Sequence, residues 1–149
     1  MTGHHLADMG EVTVQGQMNT GIVAFQGQKM SKSVGNLVRV SRLLDRGTEA
    51  MAIRLVLLAH QWTEDWEFTA EDLEAADRRL TLWRRAHYRG GAEAETLLEQ
   101  VRQALANNLD TPTALALIDE WAATNGTNDD RSGAALFHDM CDALLGVTL

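Results

Sequence analysis

Residues 29–36 read Lys29-Met30-Ser31-Lys32-Ser33-Val34-Gly35-Asn36 and lie between two apolar segments. Two lysines, two serines and a glycine in eight residues are typical of a loop. Each lysine ammonium is a compact charge on a flexible stem, and hydroxyls and backbone N–H groups can donate to the same oxygens. The stretch therefore predicts a loop that closes on phosphate. A solvated surface loop would be the better explanation for an ordinary lysine pair at this spacing, but the full string is more specific than the pair.

Short apolar segments flank this loop. Residues 21–25 predict a strand, because isoleucine, valine and phenylalanine favour a pleated sheet. After the loop, residues 37–40 predict a second extended piece, followed by one helical turn that Ser41 caps and Gly47 ends. We expect the strand at 21–25, separated from a larger sheet, to leave an unpaired edge and exposed apolar surface that favour self-association or a partner.

From residue 48 onward the sequence pattern is helical. Apolar residues recur at spacings of three or four in four to five segments joined by short connections. Thr48, Thr69 and Asp110 are placed to begin helices, and the glycines at 90 and 91 to end one. The pattern predicts a mainly α fold, a helical bundle or array preceded by a short piece with strands.

Length and composition limit the classes of protein. A chain of 149 residues can form one domain, or a small domain with an appendage. Its longest apolar run is far shorter than the ~20 residues that span a bilayer, and its start lacks a signal-peptide pattern, so we expect a cytoplasmic protein without membrane contact. The single cysteine, Cys141, excludes an internal disulfide and is predicted to be a small core residue.

The net charge of −8 is unevenly distributed. Residues 1–46 carry five basic and three acidic side chains, whereas the remaining 103 residues carry eight basic and eighteen acidic ones. Binding to a nucleic-acid backbone depends largely on lysines and arginines that neutralise phosphates. The acidic body therefore argues against a nucleic-acid partner, whereas small anions remain acceptable near residues 29–36.

The string Lys-Met-Ser-Lys-Ser, followed after one residue by Gly-Asn, resembles the second ATP-binding motif of class I aminoacyl-tRNA synthetases. Residues 18–23 resemble the segment before this motif in cysteinyl-tRNA synthetases, with Asn19 in the place of a histidine, and residues 108–115 resemble a later segment of that family. Residues 65–69, Asp-Trp-Glu-Phe-Thr, and the ending at 143–149 are similar to the cysteine ligase family of the mycothiol pathway. The chain thus resembles the C-terminal part of a ligase of this family.

The resemblance implies a fold and a function. Residues 1–46 would be the remnant of a Rossmann-like α/β catalytic domain, and residues 47–149 a helical domain. The ligase would activate cysteine with ATP, with Mg²⁺, to a cysteinyl-adenylate and pass the cysteinyl group to the amine of glucosaminyl-inositol, an amino-sugar acceptor. Lys32, supported by Lys29, would neutralise the charge of the departing pyrophosphate. The residues expected to bind the nucleotide are Lys29, Met30, Ser31, Lys32, Ser33, Gly35 and Asn36.

A metal site is implied at the start of the chain. His4, His5 and Asp8 resemble the His-His-Glu-Asn-Glu string of cysteinyl-tRNA synthetases, in which the first and last residues are metal ligands. Zinc accepts both a histidine and a carboxylate, and residues four apart face the same way on a helix. Leu6 replaces a glutamate of that string and no thiolate ligands are present upstream. We therefore expect His4 and Asp8 to bind Zn²⁺ only if upstream ligands are supplied.

Aromatic residues in the helical part are assigned to packing. Trp62, Trp66, Trp83 and Trp121 are spaced as core residues, and His60 is expected to stack among tryptophans at the end of a helix.

The resemblance leaves a gap, because the chain corresponds to about the C-terminal third of the enzymes in that family. The other ATP motif, His-Ile-Gly-His, has no match here. A lysine loop without the opposite wall of its pocket gains little over bulk water, so we expect activity only with an N-terminal half supplied in trans. Two alternatives remain: a stand-alone, non-catalytic interaction module, and a cysteinyl-tRNA synthetase fragment that contacts tRNA.

Overall fold

The computed structural model describes residues 18–125 and 131–149. Within these ranges the chain forms three short strands, six α-helices and a π-helical turn. In chain order they are β1 (Val23–Phe25), β2 (Gln28–Lys29), α1 (Val40–Asp45), α2 (Ala50–Leu58), β3 (Trp66–Glu67), α3 (Ala70–Arg89), α4 (Ala94–Ala106), α5 (Thr111–Asn125), α6 (Ala134–Met140) and the π-helical turn (Cys141–Leu145). The mainly helical fold predicted from the sequence is confirmed.

The three strands form one small sheet in the order β2-β1-β3. Strand β1 pairs antiparallel with β2 through a tight turn at Gln26 and Gly27, both with positive φ, and parallel with β3 in the register Val23 to Trp66. The predicted strand at 21–25 is confirmed, but the prediction that it has an unpaired edge is wrong. Both edges of β1 are paired, and the outer strands are only two residues long.

Two predicted helix starts are wrong. Helix α1 already begins at Val40 after Arg39, so Ser41 lies inside the helix and the predicted extended piece stops short of Val40. Helix α2 follows Glu49, whose side chain makes no capping hydrogen bond, so Thr48 does not cap it. Helices α1 and α2 each begin after a residue with extended backbone and without a capping side chain, so packing determines where they start. A sequence pattern of capping residues does not reveal such a start.

The predicted starts of α3 and α5 are confirmed. Thr69 and Asp72 form a capping box, in which the Thr69 hydroxyl accepts from Asp72 N–H and the Asp72 carboxylate accepts from Thr69 N–H at 2.7 Å. The Asp110 carboxylate accepts from Thr113 N–H at 3.0 Å at the start of α5. Gly90, with φ of 74°, ends α3 as predicted.

The core lies between the helices, with α3 packed against α2, α5 and α6. Its largest fully buried side chains include Trp83 and Phe137, and Phe137 stacks on Trp121 with ring centres 4.5 Å apart. Trp83 donates from Nε1 to Asp119 Oδ1 at 2.7 Å, which satisfies the buried indole. Among the helices of the described ranges, none is both long and apolar enough to cross a bilayer.

The predicted core assignment is confirmed for some residues and wrong for one. Trp83, Trp121 and Cys141 are buried, and Trp66 is half-buried against the core. Trp62 does not belong to this core; its Nε1 donates to the Asn108 carbonyl at 2.8 Å at the surface. The division at residue 46 stays a prediction, and β3 from the second predicted domain joins the sheet of the first.

Candidate functional site

The lysine-rich stretch at 29–36 forms a compact loop that follows directly from the hairpin. Lys29 is the last residue of β2, and Met30 N–H donates to the Val23 carbonyl at 3.1 Å. Gly35 N–H donates to the Ser31 carbonyl at 3.2 Å, which closes one turn over the intervening residues. Gly35 has φ of 75°, a conformation that glycine adopts without steric cost. The hairpin thus fixes the start of the loop and this turn fixes its end.

The side chain of Asn36 holds the loop together. Its Oδ1 accepts from Ser31 N–H at 2.9 Å, and its Nδ2 donates to the Lys29 carbonyl at 3.3 Å. The same Nδ2 lies 3.4 Å from the carbonyl oxygens of Phe25 and Gln28. One carboxamide therefore connects the loop to both strands of the hairpin. The sequence predicts that Asn36 satisfies the turn of the loop as well as binding in the nucleotide site. The structure agrees with the first role and adds the contacts to the hairpin.

The serine hydroxyls are engaged inside the loop. Ser31 Oγ accepts from Val34 N–H at 3.2 Å and lies 3.2 Å from Ser33 Oγ. Such side-chain to backbone contacts are typical of a preformed turn. Ser33 is exposed and its hydroxyl can still turn towards an anion.

The two lysines are exposed and available. Lys29 lies at the end of β2 and Lys32 in the turn, and neither forms an ion pair with any carboxylate in residues 18–125 or 131–149. Beside the loop, at the carboxyl end of β1, a depression of about 240 Å³ is lined by Phe25, Gln28 and Asn36 among others. Neither lysine lines it, but both extend from the loop that forms its edge. An anion above the loop would therefore meet two ammonium groups that no carboxylate of the described ranges pairs with.

Met30 points away from this depression. Its half-buried side chain lines a separate apolar cavity together with Val23, Val38, Ile53 and Phe68. The methionine therefore anchors the loop on the sheet and on α2. Its predicted role in nucleotide binding stays a prediction. Because the side chain points into the apolar cavity, only the backbone of Met30 is placed to contact a nucleotide.

His60 follows the end of α2 and stacks on the ring of Trp66. Its ring lies 3.8 Å from that of Trp66 with an interplanar angle of 9°, which confirms the predicted stacking. His60 Nε2 lies 3.8 Å from Asp72 Oδ1. Burial lowers the pKa of His60 below its ordinary value of 6.5, while the charge of Asp72 opposes this shift. The lowered pKa favours the neutral imidazole, which lies between Trp66 of β3 and Asp72 of α3.

The described residues do not fit a metal ion. His4 and Asp8, the predicted ligands, lie outside the described ranges. Within those ranges no three histidine, cysteine, aspartate or glutamate side chains converge. The loop offers ammonium and hydroxyl groups, which are not the ligand set that Mg²⁺ or Zn²⁺ prefers. Burial raises the pKa of the Cys141 thiol to about 12, so this residue does not supply a thiolate.

One contact of the site is not predictable from the sequence motif. Glu67 in β3 accepts from Gly27 N–H through Oε1 at 2.7 Å, and so supports the hairpin that carries the loop. The two residues are 40 positions apart, and a glutamate in a short polar segment gives no signal of its own. Only the parallel pairing of β3 with β1 brings them together.

A loop with two available lysines, carried by a hairpin beside a parallel strand pair, is consistent with a nucleotide-binding α/β domain. The chain belongs to the tRNA synthetases class I (C) catalytic domain family, whose model matches residues 2–78, just over half of the chain.

Several curated relatives of this chain carry the name L-cysteine:1D-myo-inositol 2-amino-2-deoxy-alpha-D-glucopyranoside ligase, among them the following three. The relative from Beutenbergia cavernae is 50% identical over 132 residues, which cover 87% of this chain and 31% of the relative. The relative from Thermobifida fusca is 50% identical over 135 residues, 89% of this chain and 33% of the relative. The relative from Acidothermus cellulolyticus is 48% identical over 144 residues, 96% of this chain and 35% of the relative. The chain therefore spans about a third of the length of the curated relatives it matches.

Proposed function

We propose that this chain is the part of an ATP-dependent cysteine ligase that carries the pyrophosphate-binding loop, and that it acts together with the remaining part of the catalytic domain. The observation that supports this most strongly is the hydrogen-bonded loop at 29–36, in a chain of the class I (C) family. Its two lysines form no ion pair within the described ranges. The names of its relatives indicate cysteine and an amino sugar linked to inositol as the substrates. The cytoplasmic location stays a prediction.

The proposed reaction has two steps. In the first, a carboxylate oxygen of cysteine attacks the α-phosphorus of ATP, the bond to the bridging oxygen breaks, and its electron pair leaves with pyrophosphate. In the second, the amine of the acceptor attacks the cysteinyl carbonyl, AMP leaves, and the nitrogen loses a proton.

The role of this chain lies in the first step. Negative charge grows on the bridging oxygen and on the leaving pyrophosphate as the bond breaks, and the Lys32 ammonium would stabilise that charge, with Lys29 in support. Such stabilisation acts on the transition state more than on bound ATP, so it raises the rate of the step. The contacts of Asn36 and Ser31 keep the loop in one conformation, which reduces the reorganisation needed during the reaction.

Co-expression with the missing part tests this function. We would co-express this chain with the portion of the Thermobifida fusca relative that lies outside the matched region, and measure cysteine-dependent exchange between ATP and pyrophosphate. The complex is expected to catalyse exchange. Lys32→Ala is expected to reduce the rate 10²- to 10³-fold, the usual effect of losing one such contact, about 3 kcal/mol.

Arg42→Ala provides the matched control. Arg42 is an exposed basic residue of α1 and forms no ion pair in the described ranges. The Arg42→Ala substitution therefore removes one positive charge, as Lys32→Ala does, but outside the loop. We expect its exchange rate to stay within about threefold of the unchanged chain, because screened surface charges contribute little. Equal exchange by Lys32→Ala and the unchanged chain would refute the role of Lys32. A stable complex without any exchange would instead favour the non-catalytic interaction module.

A further inference from the structure

Two apolar cavities adjoin on the part of the molecule where the sheet meets α1 and α2. The smaller cavity has a volume of about 170 Å³ and is lined only by apolar residues of β1, β3, α1 and α2 and their neighbours. The larger cavity has a volume of about 340 Å³ and extends past the end of α2 to the connection between α4 and α5. They share Val23, Leu57 and Trp66, and together we call them the apolar groove.

The groove is uncharged although the chain is rich in charge. Among residues 18–125 and 131–149, no aspartate, glutamate, lysine or arginine lines either cavity, whereas 23% of the sequence is charged. Leu57, between the two cavities, is 57% exposed, and Val40 on the wall of the smaller one is 52% exposed. Large apolar side chains exposed together on a rim mark an interaction surface rather than an anion or metal site.

The larger cavity also contains two polar atoms that lack partners. His60 Nε2 and Gln61 Oε1 are the buried side-chain polar atoms without a hydrogen bond in residues 18–125 and 131–149, and both residues line this cavity. Buried polar atoms normally have partners, so this pair indicates a missing contact. An oxygen acceptor in a mostly apolar groove suits a polypeptide, whose apolar side chains fill the cavities while an N–H or O–H group donates to Gln61.

The lengths of the relatives indicate which polypeptide would occupy the groove. The matched region is 31% to 35% of each relative, so two thirds of those proteins lie outside it. The catalytic-domain family model matches residues 2–78, and every groove residue except Leu109 and Thr111 falls in that range. The groove is therefore an open face of the catalytic-domain part of the chain.

We propose that the apolar groove is the surface on which the rest of the class I (C) catalytic domain packs. This inference rests on the proposed function, because it assumes that such a remaining part accompanies the chain. Since Met30 lines the smaller cavity, a side chain inserted there would also press on the loop at 29–36. Neither lysine of the loop lines the groove, so docking leaves both available to the nucleotide.

The test uses co-purification with a tagged partner. The 149-residue chain is co-expressed with the tagged remainder of the Thermobifida fusca relative, and its recovery and dissociation constant are measured. Leu57→Asp and Val40→Asp place a carboxylate in the groove at exposed positions that tolerate it in the unbound fold. Each is expected to weaken binding at least tenfold. Tyr88→Asp, at a residue of α3 that is 75% exposed and lies outside the groove, is expected to bind like the unchanged chain.

Hydrogen exchange gives a second test, which uses an intact relative and does not require the two parts to be expressed as separate chains. The amides of residues 53–66 in this chain are compared with the matching stretch of the intact Thermobifida fusca relative. If the groove is covered there, the intact relative exchanges more slowly in this stretch and equally in α4, which lines neither cavity. Equal exchange in both stretches would overturn the proposal.

The other outcomes are equally informative. Unchanged binding by folded Leu57→Asp would overturn the proposal, as would a dimer of this chain that Leu57→Asp dissociates, since the occupant would then be a second copy. A complex that depends on Leu57 but shows no pyrophosphate exchange would support the groove and refute the proposed function. A Lys32→Ala variant that binds normally without exchange would support both.

Discussion

At the residue scale, Gly21 lies where two backbone segments meet. Its N–H donates to the Trp62 carbonyl at 2.8 Å, and a β-carbon at this position would lie 1.9 Å from the Glu64 carbonyl oxygen. Because the obstacle is backbone and not the end of a flexible side chain, it cannot move without breaking the pairing of β1 with β3. We expect Gly21→Ala to reduce the free energy of unfolding by about 1–3 kcal/mol, measured by urea denaturation.

Gly35→Ala is the comparison for this change. Gly35 has φ of 75°, and no heavy atom lies within 4 Å of the position of its β-carbon. The substitution therefore adds only the strain of a left-handed backbone, about 1 kcal/mol. A Gly21→Ala variant as stable as the unchanged chain would show that the two segments do not approach each other as described.

The candidate site was predictable at this scale only in part. The loop at 29–36 could be recognised because its residue types are contiguous and each has its own chemistry. Gly21 and Glu67 could not, because their importance depends on partners about 40 positions away. Met30 was grouped with the nucleotide site by its position in the motif, whereas packing directs its side chain into the apolar groove.

At the scale of elements, the two threonines predicted as helix caps make a direct comparison. Thr69 caps α3 through a complete capping box, while Thr48 precedes α2 without capping it. We expect Thr69→Ala to cost about 1 kcal/mol of unfolding free energy and Thr48→Ala to be close to neutral. Thermal and urea unfolding of both variants would measure this, and equal losses would contradict the assignment of the caps.

Elements were predictable where their signals are local. Helices α3 and α5 begin at capping side chains and α3 ends at a glycine, so their approximate bounds follow from the sequence, whereas α4 shows the helical period alone. Strand β3 could not be predicted, because Trp66 and Glu67 are extended only by pairing with a strand more than 40 positions earlier. The start of α1 was misplaced because Arg39, rather than a side chain that caps, precedes it.

At the scale of the whole molecule, the sheet connects the two predicted domains. Residues of β3 and of the segment before it complete the pairing of β1, so the part that carries the loop and the helical part share backbone hydrogen bonds. The Arg54 guanidinium of α2 also donates to the Leu145 carbonyl near the end of the last helix. The helices therefore support the hairpin from which the loop extends, and their stability affects the site.

This coupling makes the pH dependence of unfolding a test of the structure. Burial lowers the pKa of His60 below 6.5, so below that pH the unfolded chain binds more protons than the folded one. The resulting stabilisation is fully present above pH 6.5 and is lost as the pH falls through the lowered pKa. We expect the unfolding free energy to be level between about pH 7 and 8 and to fall between about 6.5 and 5.

A substitution that removes the titrating group at position 60 isolates the contribution of His60 to the pH dependence of unfolding. His60→Phe preserves a flat ring on Trp66 but cannot bind a proton, so its unfolding free energy should fall less between pH 6.5 and 5 than that of the unchanged chain. The other groups with shifted pKa values do not titrate between pH 6.5 and 5. The Arg84 guanidinium lowers the pKa of Glu49 below 4.5, so that pair loses stability only at more acidic pH, and burial raises the pKa of Cys141 to about 12, so its thiol acts only under alkaline conditions. If both proteins lose the same stability over this interval, the half-buried His60 ring does not contribute to the pH dependence as its lowered pKa predicts.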